Sequence, residues 1–194
     1  SGKTTLLKGL HGIVRLQKGS VKWSISRKDS IEKQMFVFQS PVMLRRSVLE
    51  NLVYPLTLKK VSKAHALCKA EEWAQKISMS NLIHQQATRL SRGEKQKLAL
   101  ARALITLPKM LFLDEPSASL DGQTTIEIER LLNASLKLGT TIMMSTHDIG
   151  QAKRLANNIL FLKEGKLESI QSAEEFFKKP KSNSAKKFIT GNIV

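Results

Sequence analysis

The sequence predicts an α/β domain on a mainly parallel sheet, with a small α-helical subdomain set into it. Three observations carry this expectation. Strand and helix patterns alternate from Met110 to Ile170. Met110-Leu111-Phe112-Leu113 is continuously apolar, as a strand covered on both faces of a parallel sheet must be. Between Pro41 and Gln86 the apolar residues fall at helical spacing instead. A chain of 194 residues suffices for one core with a subdomain. Its 41% hydrophobic and 25% charged residues exclude wholesale disorder.

Each element has its own justification. Ser1-Gly2-Lys3-Thr4-Thr5 runs directly into the apolar helical pattern that begins at Leu6. Val21 to Ser26 and Met35 to Gln39 are rich in Val, Ile, Phe and Trp and read as short strands, parted by the polar turn Arg27 to Ser30. Ser62 caps a helix in which Ala64, Leu67, Ala74 and Ile77 recur near a 3.6 period. Ser91 followed by Glu94 has capping-box spacing and opens a helix to Ile105, which Pro108 ends. After the apolar run come a helix from Thr124 to Leu138 and a strand from Thr141 to Ser145. A helix from Asp148 to Ala156 and a strand from Ile159 to Leu162 follow. A turn at Glu164-Gly165 leads to a strand at Lys166 to Ile170 and a capped segment at Ser172 to Phe177. Beyond Lys178 the Lys, Ser and Asn-rich composition predicts a loose tail. The expected organisation is a core of residues 1–40 and 87–170, a helical subdomain of 41–86 and a C-terminal helix with basic tail at 171–194.

Composition narrows the function. Cys68 is the only cysteine, which excludes an internal disulfide and fits a reducing compartment. No apolar run approaches the ~20 residues that span a bilayer. A net charge of +16 points to polyanions, but the lysines are scattered and few aromatics lie among them, so a solubilising surface explains them better than nucleic-acid binding.

Ser1-Gly2-Lys3-Thr4 matches the end of a P-loop, where backbone N–H groups at a helix N-terminus surround phosphates. In that motif Lys3 reaches the β and γ phosphates and Thr4 offers its hydroxyl to Mg²⁺. Asp114-Glu115 at a strand end supplies one carboxylate to hold Mg²⁺ through water and a second to polarise an attacking water. Such a pair can also simply cap the next turn; beside the P-loop residues, nucleotide chemistry is the better reading.

With these and four further motifs, the chain resembles the ATP-binding subunit of ABC transporters over essentially its whole length. Val37-Phe38-Gln39 is similar to the Q-loop, Leu90-Ser91-Arg92-Gly93-Glu94 to the signature motif, and Met110 to Pro116 to Walker B. Ser119-Leu120-Asp121 resembles the D-loop and Ser145-Thr146-His147-Asp148 the switch histidine. The resemblance implies a RecA-like P-loop NTPase core that binds ATP and Mg²⁺. Ser1, Gly2, Lys3, Thr4 and Thr5 would hold the phosphates, and Thr4, Gln39 and Asp114 the metal. Glu115 would act as general base, with His147 at the γ phosphate. Two cassettes would clamp two ATP molecules head to tail, so that Ser91 and Gly93 serve the partner's nucleotide, and Asp121 would be a further nucleotide-binding residue. A separate transmembrane permease, and a substrate-binding protein with it, complete the implied partners, at the cytoplasmic face of the inner membrane. Nucleic acid is not expected.

Two departures from the family pattern stand out. Arg92 and Glu94 replace Gly and Gln of the usual Leu-Ser-Gly-Gly-Gln, and Glu94 suits the cap. The sequence opens inside the P-loop, so its earlier glycine, the first strand and the adenine-stacking aromatic are expected upstream in a longer chain. The stretch Ser40 to Val48 is similar to that of tungstate-type and phosphate-type importers, which predicts a small anion as cargo. The rivals are an ABC-type ATPase acting on ribosomes or nucleic acid, and a non-catalytic nucleotide-binding module.

Overall fold

A computed structural model describes residues 1–191, so the last three residues of the expected 171–194 segment lie outside the described part. The chain forms two compact units, residues 22–144 and residues 1–21 with those from 145 onward.

In the first of these, α2 (Arg27–Lys33) leads into β1 (Gln34–Val37), and β2 (Met110–Asp114) lies beside it in parallel. The three-stranded sheet has the order β1-β2-β3, with β3 at Thr141–Ser145. Leu111, Phe112 and Leu113 of the central strand are wholly buried, which explains their unbroken apolar run. The register is pinned at one end by backbone bonds from Lys109 N to Lys33 O (2.7 Å) and from Thr141 N to Lys109 O (2.9 Å).

Residues 21–26, expected as a strand, take part in neither sheet. Their apolar character serves packing instead, since the Trp23 ring meets Phe112 edge-on at 6.4 Å. The expected turn after them is α2, which the Ser26 hydroxyl caps by accepting from Asp29 N at 3.1 Å.

The helical segment within this unit holds α3 (Val48–Leu58) and α4 (Lys63–Lys76) packed on one another. The buried face of α4 is Ala66, Ala70 and Ala74, continued by Ile77, whereas Ala64, expected on it, is exposed. Alanines four apart form a flat stripe, and larger Leu67 at the edge is only half-covered. Next, α5 (Arg92–Leu104) buries Leu98, Ala101 and Leu104, and α6 (Gly122–Lys137) buries Ile128 and Leu132.

In the other unit, α1 (Lys3–His11) follows the Gly-Lys-Thr turn, and α7 (Ile149–Leu155) precedes an antiparallel hairpin of β4 (Asn158–Lys163) and β5 (Lys166–Ser172). Its two-residue turn, Glu164-Gly165, has φ of 49° and 75°, matching the turns with positive φ at both central residues that suit the strand twist. From Lys178 to Gly191 the segment is not loose. After α8 (Ala173–Lys178) it forms α9 (Asn183–Ile189), with the Phe188 ring tilted at 50° to that of Phe161, centroids 5.8 Å apart, and Ala185 fully buried. Buried Gln171 accepts from Lys181 N at 3.0 Å and donates to Lys179 O at 3.2 Å, so the polar stretch between the helices is held by a strand side chain. Composition registered the lysines and could not register these contacts.

Candidate functional site

The in-register pairing of Val37 with Leu113 brings the carboxyl ends of β1 and β2 side by side. Ligands of open α/β sheets bind at such ends. Gln39 and Glu115, which follow them, meet there: Gln39 Nε2 lies 3.5 Å from Glu115 Oε2, the outer limit of a hydrogen bond. Asp114, the last residue of β2, is buried, while Glu115 is partly open. Glu115 has φ of 46°, a left-handed conformation for a residue with a side chain. Such strain costs about 1–3 kcal/mol and concentrates at functional sites. The strand therefore stops abruptly after Asp114, and the two carboxylates differ in exposure although adjacent in sequence.

Past Glu115 the chain turns through Pro116 to Leu120, with Ser119 also at positive φ (59°), and reaches Asp121, the N-cap of α6. Asp121 Oδ1 accepts from Thr124 N at 2.8 Å and Oδ2 from the Thr124 hydroxyl at 2.7 Å. The Thr124 backbone N–H, and then its hydroxyl, hold the Asp121 carboxyl below its ordinary pKa.

Ser91 opens α5 with a complete capping box. Its hydroxyl oxygen accepts from Glu94 N at 3.3 Å, and Glu94 Oε2 accepts from Ser91 N at 2.8 Å. Both residues of the sequence-read cap are thus in place. Gly93, in the first turn, sits against α6: a Cβ there would lie 3.2 Å from both Cγ2 and Oγ1 of Thr124. Because Asp121 holds Thr124, a side chain at this position would press on it. Lys97 Nζ, 2.7 Å from Glu127 Oε2, tethers the same two helices one turn further on and depresses the Glu127 pKa. Thr124 is the site-supporting residue that sequence reasoning passed over; its place three residues after Asp121, the spacing of an N-cap and its N3 partner, was the available signal.

Ser1 to Thr5 and His147 belong to the other unit. Gly2 is the N-cap of α1 with φ of 89°, and a Cβ on it would stand 3.3 Å from the Gly165 Cα. Gly165 N donates to Ser1 O at 3.1 Å, and Lys3 Nζ reaches Ser1 Oγ at 3.4 Å. The hairpin turn thus supports the Gly-Lys-Thr turn backbone to backbone, a contribution of Gly165 that no motif announced. No side-chain cap hydrogen bond is made at Gly2 and no acidic residue lies in the first turn of α1, so the positive end of the helix dipole suits an anion. His147 is exposed two residues after β3, and Asp148 caps α7 by accepting from Gln151 N at 2.9 Å.

Within one unit, a buried and a strained carboxylate stand at a strand end with a glutamine touching the second of them. Within the other, a helix that no side chain caps begins with a lysine. Comparisons with known proteins show the family. The family profile described as ABC transporter matches residues 1–118. The ATP-binding protein of the tungstate uptake system of Peptoclostridium acidaminophilum is 38% identical over 91% of this chain and 82% of its own length. The ATP-binding protein of arginine transport in Bacillus subtilis is 32% identical over 97% and 83%. Among solved structures, an ATP-binding cassette captured as a dimer in a post-hydrolysis state with ADP and Pi superposes with a TM-score of 0.78 at 26% identity, over 89% of this chain and 81% of that one.

Proposed function

The chain belongs to the ABC transporter family as an ATP-binding, ATP-hydrolysing subunit that powers import, and from that premise we propose that it serves a bacterial importer of a small anion such as tungstate or phosphate. The tungstate relative supports the anion, while the arginine relative belongs to a system for a different cargo. The observation that carries the catalytic reading is the meeting of Gln39 and Glu115 at the ends of paired parallel strands, directly after Asp114.

In this reading, the N–H groups of Ser1 to Thr5 and the Lys3 ammonium hold the phosphates. Thr4, Gln39 and Asp114 supply oxygen ligands, the donor type that Mg²⁺ requires, and the ion would neutralise phosphate charge. Glu115 takes the proton of the attacking water, Gln39 orients that water, and His147 donates to the γ phosphate. Ser91 and Gly93 complete the site of a second copy: the Ser91 oxygen already accepts from its own helix, while its hydroxyl proton remains to donate to a phosphate. Asp121 sets the turn joining Glu115 to α6.

A second cassette, a transmembrane permease and a substrate-binding protein are the partners, with the chain peripheral at the cytoplasmic membrane face and no role for nucleic acid. Among the described residues no helix is long and apolar enough to cross a membrane, in keeping with a separate permease.

Two variants of the full-length protein test the catalytic assignment. Glu115→Gln should abolish phosphate release, by about 10²–10⁴-fold for loss of a general base, yet retain ATP and accumulate a clamped dimer on size-exclusion chromatography. Lys3→Ala should fail to bind ATP and form no ATP-dependent dimer. Near-normal turnover in Glu115→Gln removes it as base, and a clamped dimer in Lys3→Ala removes the lysine. Uptake of labelled tungstate and phosphate, measured in cells with and without the gene, tests the anion separately. Equal uptake of both would reject that cargo and leave the ATPase intact.

A further inference from the structure

The segment after Gln39, residues 40–46, has no helix or strand of its own, yet two side chains from different helices hold its backbone. Asn51 of α3 is completely buried. Its Oδ1 accepts from Leu44 N at 3.1 Å, and its Nδ2 lies within 3.3 Å of the carbonyl oxygens of Leu44 and Arg46 and 2.9 Å from that of Ser47. Arg102, near the end of α5, donates through Nη1 to Asn51 Oδ1 at 3.1 Å and through Nη2 to Val42 O at 2.9 Å. One amide and one guanidinium therefore gather Val42, Leu44, Arg46 and Ser47 onto a helix that begins at the Ser91 cap.

Both acceptors of Arg102 are neutral, and burial disfavours its charged form. A half-buried cation without a carboxylate is a poor choice if packing alone is required. Its forked donors do what an apolar side chain cannot, binding an amide oxygen and a backbone carbonyl in fixed directions. The Val42 side chain is meanwhile 79% exposed, so the restrained backbone carries an open outer surface. Helix α5 is about 20 Å of continuous hydrogen-bonded rod, with Arg102 some three turns from Ser91.

We propose that Asn51 and Arg102 are positioning residues that tie the Val42 to Ser47 backbone to α5, so that a displacement of the Ser91 end on nucleotide engagement is delivered to the segment following Gln39. The inference rests on the nucleotide reading above only in assigning that engagement to Ser91 and Gly93.

Hydrogen exchange of the full-length protein, with and without Mg²⁺ and a non-hydrolysable ATP analogue, at concentrations where the dimer forms, tests it. The wild type should change exchange at residues 91–95 and, by at least about fivefold, at residues 42–47, where the Leu44 amide reports directly on Asn51. Arg102→Leu should keep the response at 91–95 and lose that at 42–47. If that variant does not fold, Arg102→Lys, which keeps the charge without the fork, should give a reduced response. Lys59→Met removes a different tie between α3 and the end of α5, the bond from Nζ to Thr106 O, and should leave both responses. Persistence of the response at 42–47 in Arg102→Leu or its full size in Arg102→Lys overturns the proposal, as does its absence in wild type when 91–95 responds. Silence at 91–95 in wild type instead defeats the nucleotide reading itself.

Discussion

Two helix N-termini of this chain are assigned to phosphate, and they are built in opposite ways. At α5, Ser91 and Glu94 satisfy each other's backbone groups, and Gly93 is wedged against a Thr124 that Asp121 holds. At α1, Gly2 offers no side chain, and its left-handed conformation lies against the neighbouring Gly165 turn. The first end is closed by side chains of its own helix; the second has no side-chain cap. A helix terminus can bind phosphate in either condition, but only the uncapped one gains from the phosphate what a cap would have supplied.

Substitutions can break this contrast. The largest effect is expected at Gly2: Gly2→Ala forces a Cβ into left-handed backbone, costing about 1–2 kcal/mol, and presses it on the Gly165 Cα. Equilibrium ATP binding should weaken at least about tenfold, the equivalent of 1.4 kcal/mol; unchanged affinity would show that the turn tolerates a side chain. Next comes Ser91→Ala, which removes the cap at about 1 kcal/mol. Thermal unfolding should fall by ~2–4 °C for a domain of this size, with ATP-driven dimerisation lost and ATP binding by the single copy retained. An equal loss of monomer binding would erase the distinction between the two ends.

Gly93→Ala should be smaller in stability, because the ~1 kcal/mol propensity gain of alanine inside a helix offsets the contact with Thr124. The contact should reappear in a double-mutant cycle with Thr124→Ser, which removes the crowding methyl and keeps the hydroxyl on Asp121; a coupling of at least ~0.5 kcal/mol by thermal unfolding is expected, and additivity would discount the wedge. The smallest effect concerns pH. The folded-state pKa of Asp121 is depressed by Thr124, so its stabilisation is present above the unfolded value near ~3.9 and is lost as pH falls through the folded value. The stability difference between wild type and Asp121→Asn should therefore close in acid below about pH 4; a constant gap would mean that the cap does not depend on the charge.

The α5 end was legible in advance and the α1 end only half so. Ser91 and Glu94 stand three apart in sequence, within the reach of one helical turn, and local patterns report such local geometry faithfully. The same holds for the buried strand Met110–Asp114. The Gly-Lys-Thr turn likewise lies within a short motif, but the contact of Gly2 with Gly165 spans most of the chain length and leaves no trace in the residues around either glycine. Trp23 and Phe188 mark the failures in both directions. An aromatic, β-branched stretch at 21–26 promised a strand but has no sheet neighbour among the described residues, while a lysine-rich tail promised disorder but found Phe161 and Gln171.

What the sequence determined by itself is the set of short-range commitments: the capping box at Ser91 and Glu94, the turn at Glu164-Gly165 and the strand covered on both faces. Tertiary structure alone decided the pairing of β1 with β2 that brings Gln39 to Glu115, the wedge of Gly93 on Thr124, and the hold of Asn51 and Arg102 on residues 42–47. The reason is one of range. A cap or turn is complete within about one helical turn of chain, whereas these contacts join residues 31 to 76 positions apart or bind a loop through a distant helix, and only the packing of whole elements fixes which surfaces meet.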